Sequence, residues 1–168
     1  MKADAVPLLD LFEKKMQLEV PLFQRQYVWN RSDQWEPLWE DVALKFAECL
    51  EGRDDAPVHF LGAMVLDQKQ TRSTQVEKRQ VIDGQQRLTT FQILLAALRH
   101  YCRENECAEL ATELRRYTTN LGMMANKEID MFKVWPTQSD REQFCDVLTL
   151  GSAAAVEEKH PRVRLRYK

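Results

Sequence analysis

Four polar residues crowd one short stretch of the chain: Asp83, Gln85, Gln86 and Arg87, with Gly84 between the first two. Asp83-Gly84 is a turn signal, because glycine accepts backbone angles that other residues resist. Beyond it, Leu88, Phe91, Leu95, Leu98 and Tyr101 recur at helical spacing and predict a helix over residues 88–103. Asp83 with Gln86 three positions on has the form of a capping box. The cluster therefore sits at the first turn of a helix, whose unpaired N–H groups and partial positive charge suit an anion such as phosphate. There, Arg87 can grip phosphate oxygens bidentately. Asp83 can hold a metal ion or orient a water, and Gln85 and Gln86 can position phosphate oxygens or a nucleophilic water. The plainer alternative is that Asp83 caps the helix while its neighbours are solvated.

A second polar constellation runs from Gln24 to Asn30. Arg25 suits a phosphate. Tyr27 and Trp29 can stack on a base, or they can be core aromatics bridging a strand and a helix.

The elements that must position these groups are readable in outline. A short helix is expected over residues 6–15. A strand follows over 18–23, with Pro21 suggesting an edge position. Another helix starts near Glu36 and carries the stripe Leu38, Trp39, Val42, Phe46 and Leu50, with Gly52 ending it; Trp35 and Trp39 are assigned to the core. Residues 59–66 and 76–82 form an antiparallel strand pair joined by an apolar-free loop. Gly62 marks a close backbone approach, and His59 reads as structural rather than catalytic. A second long helix is expected over 107–121, with Arg115 and Arg116 on a solvated face. Residues 129–135 are extended, and Ser139-Asp140-Arg141-Glu142 forms a capping box for a last helix carrying Phe144, Val147 and Leu148. The pattern fails after Gly151. This order predicts an α+β domain over residues 1–150. A basic extension, 151–168, would begin a further helical region.

At 168 residues, 44% hydrophobic and 30% charged, the chain suits one soluble folded domain. No apolar run approaches the ~18 residues of a membrane span. The N-terminus is too short and acidic for a secretory signal, so a cytoplasmic location is expected. Cys49, Cys102, Cys107 and Cys145 form no CxxC pair and have no histidine at zinc-ligand spacing. They are expected to be reduced and mostly buried. The net charge is −2, whereas dedicated nucleic-acid domains are usually basic. DNA contact must then use a local patch: Lys69, Arg72, Lys78 and Arg79, or the tail with Arg162, Arg164, Arg166 and Lys168. No Walker A pattern is present.

The stretch VIDGQQRLTT at 81–90 resembles the DGQQR motif of the GmrSD-type restriction endonuclease N-terminal domain, a family of the ParB/sulfiredoxin-like superfamily. VPLFQRQYVW at 20–29, HFLGAMVL at 59–66 and VWPTQSDREQF at 134–144 agree in the family's order, so the resemblance runs from about Val6 to Leu150. It implies a ParB/sulfiredoxin-like fold, a small mixed sheet with surrounding helices. It also implies a nucleotide pocket between Gln24–Trp29 and Asp83–Arg87. Gln24, Arg25, Tyr27, Gly84, Arg87, Thr89 and Thr90 would bind a nucleoside triphosphate. Asp83, Gln85, Gln86 and Arg87 would be the catalytic set, with Mg²⁺ on Asp83. The implied function is an NTP-binding and hydrolysing module of a modification-dependent DNA restriction system in bacterial phage defence. Its partners would be DNA, possibly modified, and an HNH-type nuclease domain or subunit that follows in many members. The chain reads as an N-terminal portion, or as an unusually short member. Two alternatives stay open: a non-catalytic ParB-like nucleotide and DNA switch, and a nuclease in its own right. Sulfiredoxin-type redox chemistry is excluded, because no cysteine lies near Asp83–Arg87.

Overall fold

The strand β1, Met16–Glu19, lies at the centre of a four-stranded sheet of order β2-β3-β1-β4. It runs parallel to β3 (Glu77–Asp83) on one side and to β4 (Val134–Trp135) on the other; β2 (Val65–Gln68) pairs antiparallel with β3. The structure is a computed structural model describing residues 4–53, 57–71 and 75–161. Met16, Gln17 and Leu18 are successive and all buried, the signature of a strand covered on both faces rather than of an edge. The expected edge strand over 18–23 is thus corrected. The strand starts earlier and is internal. Val20 N still donates to Trp135 O, and Pro21 comes only where the ladder has ended.

The expected pair over 59–66 and 76–82 is present in a shifted form. The first partner shrinks to β2, and residues 57–64 run as irregular chain. A register shift between Val65 and Leu66 bends β2 beside the end of β3.

The core lies on the sheet beneath α3 (Gln85–Glu104), where Leu88 and Phe91 meet Val81, Leu18 and Met16. α1 (Leu8–Glu13) contributes Phe12, and α6 (Arg141–Leu150) contributes Phe144 and Leu148. Each such side chain contributes roughly 1.5–3 kcal/mol through burial. α4 (Ala108–Thr118) packs along α3, with Leu114 and Ala111 against Cys102. The short α5 (Lys127–Asp130) leads into β4.

Two expectations fail for identifiable reasons. α2 (Glu36–Leu50), which follows a single π-helical turn at Arg31–Trp35, buries no residue, and Trp39 is 60% exposed. Its apolar stripe exists, but only Leu38 packs against the core, and Trp39, Phe46 and Leu50 stay exposed. Trp35 does turn inward, packing partly buried against the core. Asp140 is the N-cap of α6 but makes no capping hydrogen bond; its carboxylate accepts from Tyr27 N at 2.9 Å and Thr137 Oγ1 at 2.6 Å, tying 24–30 to α6. In the extension after Gly151, where no periodic pattern is readable, α7 (Ala153–Lys159), capped by Ser152 Oγ, places Val156 in the interior against α6.

The cysteines are free; Cys102 is buried and Cys145 half-buried, but Cys49 and Cys107 are exposed. Burial, then the Asp146 carboxylate, pushes the Cys145 thiol up to about 11, so it stays protonated at neutral pH. Among the described residues, no helix is long and apolar enough to cross a membrane.

Candidate functional site

β3 ends at Asp83, Gly84 turns the chain, and α3 starts at once with Gln85. The helix therefore begins three residues before its apolar periodicity does. Its N-cap is Gly84, at φ +102°, and no side chain caps it. The expected capping by Asp83 is not made. The left-handed turn points the Asp83 side chain to solvent, 67% exposed, with one long contact of 3.4 Å to Arg87 Nη2. The first N–H groups of a twenty-residue helix are thus left without a side-chain acceptor. A Cβ on Gly84 would also press on Met64 Cγ at 2.8 Å, so both φ and packing require glycine.

The segment after β1 folds back over this turn. Gln24 Nε2 donates to Ile82 O at 3.0 Å. Gln85 Nε2 donates to Arg25 O at 2.6 Å. Gln86 accepts from Val28 N at 2.8 Å and donates to Gln26 O at 3.1 Å. The two glutamines thus act as backbone staples, gaining hydrogen bonds that buried amides require. Gln85 Oε1 is buried without a partner, as are Gln17 Oε1, Gln92 Oε1 and Asn120 Oδ1; of these, only Gln85 lines the cleft described next.

Between the two segments lies a cleft of about 240 Å³, lined by Gln24, Arg25, Trp29, Ile82, Asp83, Gly84, Gln85, Gln86 and Arg87. Two cations flank it, and they differ in kind. Arg87 is mostly committed: Nη1 donates to Leu61 O at 2.8 Å and Nη2 to Ala63 O at 2.6 Å, clamping the irregular chain before β2. That clamp explains Gly62, at φ +88°, where a Cβ would collide with Arg87 Nη1. Arg25 is exposed, and its guanidinium has no hydrogen bond or ion pair among the described residues. Asp83 is the sole carboxylate in the lining.

A family model for the GmrSD restriction endonuclease, N-terminal domain, matches residues 8–167. The chain belongs to this family. No curated protein gives a significant sequence match.

Within this GmrSD-type domain, the expected site residues divide into two groups. Gln24, Arg25, Asp83, Gly84, Gln85, Gln86 and Arg87 come together around the cleft. Tyr27, Thr89 and Thr90 lie outside its lining and are buried. The Tyr27 hydroxyl meets Thr90 Oγ1 at 2.7 Å and accepts from Trp35 Nε1 at 2.7 Å. Burial raises its pKa above the ordinary tyrosine value, against the pull of those two bonds. Tyr27 is a packing residue and presents no face for a base to stack on. Trp29 packs half-buried against the core and also lines the cleft.

Of the cations expected to meet DNA, the three among the described residues are paired. Lys69 and Lys78 hold Glu19 at 2.7 and 2.8 Å, and Arg79 holds Glu77 at 2.7 Å. Desolvation raises the Glu19 pKa, but the two lysines outweigh it and leave the pKa lowered. Arg72, Arg162, Arg164, Arg166 and Lys168 lie outside the described residues. His59 sits 3.6 Å from Asp41, away from the cleft. Glu142, Asp146 and His160 could together hold a metal ion by spacing. However, Asp146 already accepts from Lys159 at 2.7 Å and lies 2.6 Å from His160 Nε2, which leaves that carboxylate satisfied by a cation.

Sequence reasoning missed the Leu61 and Ala63 carbonyls. Backbone acceptors leave no mark in side-chain patterning, and only Gly62 signalled the approach. It also passed over Arg99 and Arg103, hidden in the apolar pattern of α3.

Proposed function

We propose that this domain is the nucleoside triphosphate-binding and hydrolysing module of a modification-dependent DNA restriction system, with the cleft between residues 24–29 and 82–87 as its site. The observation that carries the reading is the uncapped N-terminus of α3 opening between Arg25 and the exposed carboxylate of Asp83. Family membership supports the restriction context.

The residues present suit the ligand. A cleft of about 240 Å³ is smaller than the ~300–1,000 Å³ usual for whole ligands, and so fits a phosphate tail with the base at the mouth, near Trp29. Mg²⁺ commonly takes one or two carboxylates and completes its shell with phosphates and water, which matches a single exposed Asp83. When bound, such an ion would neutralise charge that develops on the transferred phosphoryl group. The N–H groups of Gln85, Gln86 and Arg87 then meet phosphate oxygens with the helix dipole behind them. Arg25 adds a charge-assisted contact from the open side. Arg87 mainly shapes the cleft, holding the chain at 61–63. Gln85 offers an amide oxygen without a donor, which a water or ligand N–H would satisfy.

A turnover assay with each of the four NTPs, Mg²⁺, and modified or unmodified DNA tests this. Hydrolysis of at least one NTP, lost in Asp83→Asn, is expected. Tight binding without turnover would favour the ParB-like switch instead. A nuclease centre at this cleft has less support, since Asp83 has no second carboxylate in the lining with which to hold two metals.

A further inference from the structure

The larger cavity of the domain lies elsewhere, between the last turns of α3, the start of α4 and the end of α6. It measures about 600 Å³, within the range of small-molecule sites. Three guanidinium groups line it: Arg99 and Arg103, one turn apart on α3, and Arg115 on α4. Thr112, Thr118, Thr119 and Thr149 add hydroxyls.

We propose that this cavity is a second anion site, taking a compact ligand that carries several phosphate charges. Arg99 is half-buried and held rigidly by neutral acceptors, with Nη1 on Thr118 Oγ1 at 2.6 Å and Nη2 on Leu148 O at 2.6 Å. No carboxylate compensates it. Burial first, then Arg103 and Arg115, disfavour its charged form. The guanidinium groups of Arg103 and Arg115 make no hydrogen bond or ion pair among the described residues. Glu106 is the acidic residue in the lining, and it pairs with none of the three. Like charges gathered without counter-charge cost stability, and each loses that cost when an anion arrives.

The backbone points the same way. Ala108, the first residue of α4, lines the cavity, and no side chain caps that eleven-residue helix. The uncapped first N–H groups of a helix suit an anion. Planar guanidinium forks match phosphate oxygens bidentately. A duplex would instead need cations spread along a surface. Next to Arg115, however, Arg116 is taken up by Glu13 at 2.6 Å and Glu113 at 3.1 Å, so the basic character stops at the cavity. The net charge of −2 argues the same.

This site shares no residue with the cleft at Arg25, so the two proposals stand or fall separately. The test is calorimetric titration of the full chain with inorganic tripolyphosphate at low salt, using Arg25→Ala as the background to silence the first cleft. Binding is expected to persist there. It should weaken by at least about tenfold when Arg103→Gln and Arg115→Gln are added. Both side chains are exposed, so the melting temperature should hold. Absence of this binding event, or an isotherm unchanged by the two substitutions, overturns the proposal. So does a result in which the substitutions abolish capture of a short DNA duplex while tripolyphosphate binds as before.

Discussion

The two arginines of the cleft look interchangeable in sequence and differ once the chain is folded. Arg87 donates to two backbone carbonyls that would be orphaned without it. Arg87→Ala is therefore expected to cost stability, roughly 1.5–3 kcal/mol per charged hydrogen bond lost, together with nucleotide affinity. Urea unfolding beside a binding titration reads both effects. Tyr27→Phe should do the opposite. It removes the acceptor of Trp35 Nε1 and a partner of Thr90, for about 1–3 kcal/mol of stability, and leaves nucleotide affinity unchanged. A fall in affinity at undiminished stability would return Tyr27 to the site. At this scale the sequence located the polar cluster that the fold gathers around the cleft, because polar residues between a strand and an apolar helix have few structural uses. It could not separate binder from staple. That depends on which acceptors lie within reach, and Gln86 and Arg87 reach backbone of segments about 60 and 25 residues away.

At the scale of elements, the strand-turn-helix unit carries the site, and Gly84 is its hinge. Gly84→Ala faces a positive φ and contact with Met64. A loss of about 1–3 kcal/mol is expected from backbone strain alone, with nucleotide binding falling more steeply than stability because the helix start would move. Equal losses, measured by chemical unfolding and titration, would mean the helix start tolerates the shift. The helices α2, α3, α4 and α6 were legible from their apolar spacing. β1 was misplaced because proline at position 21 suggested an edge, although it falls outside the ladder. The bounds of α7 were not legible because alanines at 153–155 carry no periodic signal, and its fixed points are a serine cap and one buried valine. The exposed stripe of α2 shows the converse. Periodicity states that a face is apolar and is silent on whether anything covers it.

For the molecule as a whole, Lys133 provides a stability signature. Its amine donates to Lys14 O at 2.7 Å in a site where the residue is 2% exposed, and burial, opposed by Glu13, pulls its pKa down to about 8. The unfolded chain keeps that proton to about 10.4. Between those values the unfolded state binds more protons, so stability rises with pH. Unfolding midpoints at about pH 7.5 and about 9.5 should diverge more in the wild type than in Lys133→Met. Identical pH profiles would show that the amine is not desolvated in solution. The same whole-molecule view predicts no DNA nicking by this domain with Mg²⁺ and NTP, since the described cleft lining holds one carboxylate and the three described DNA-binding candidates, Lys69, Lys78 and Arg79, are paired. Reproducible plasmid nicking that vanishes in Asp83→Ala would move the nuclease centre to the turn itself. The most direct measurement, however, is calorimetric titration of Mg²⁺-NTP into wild-type protein and Arg25→Ala, with melting temperatures taken on the same samples. The Arg25 guanidinium makes no hydrogen bond or ion pair among the described residues, and its carbonyl is kept in the variant, so stability should be equal while affinity falls by at least about tenfold. Equal affinity at equal stability would contradict the placement of the nucleotide between residues 24–29 and 82–87.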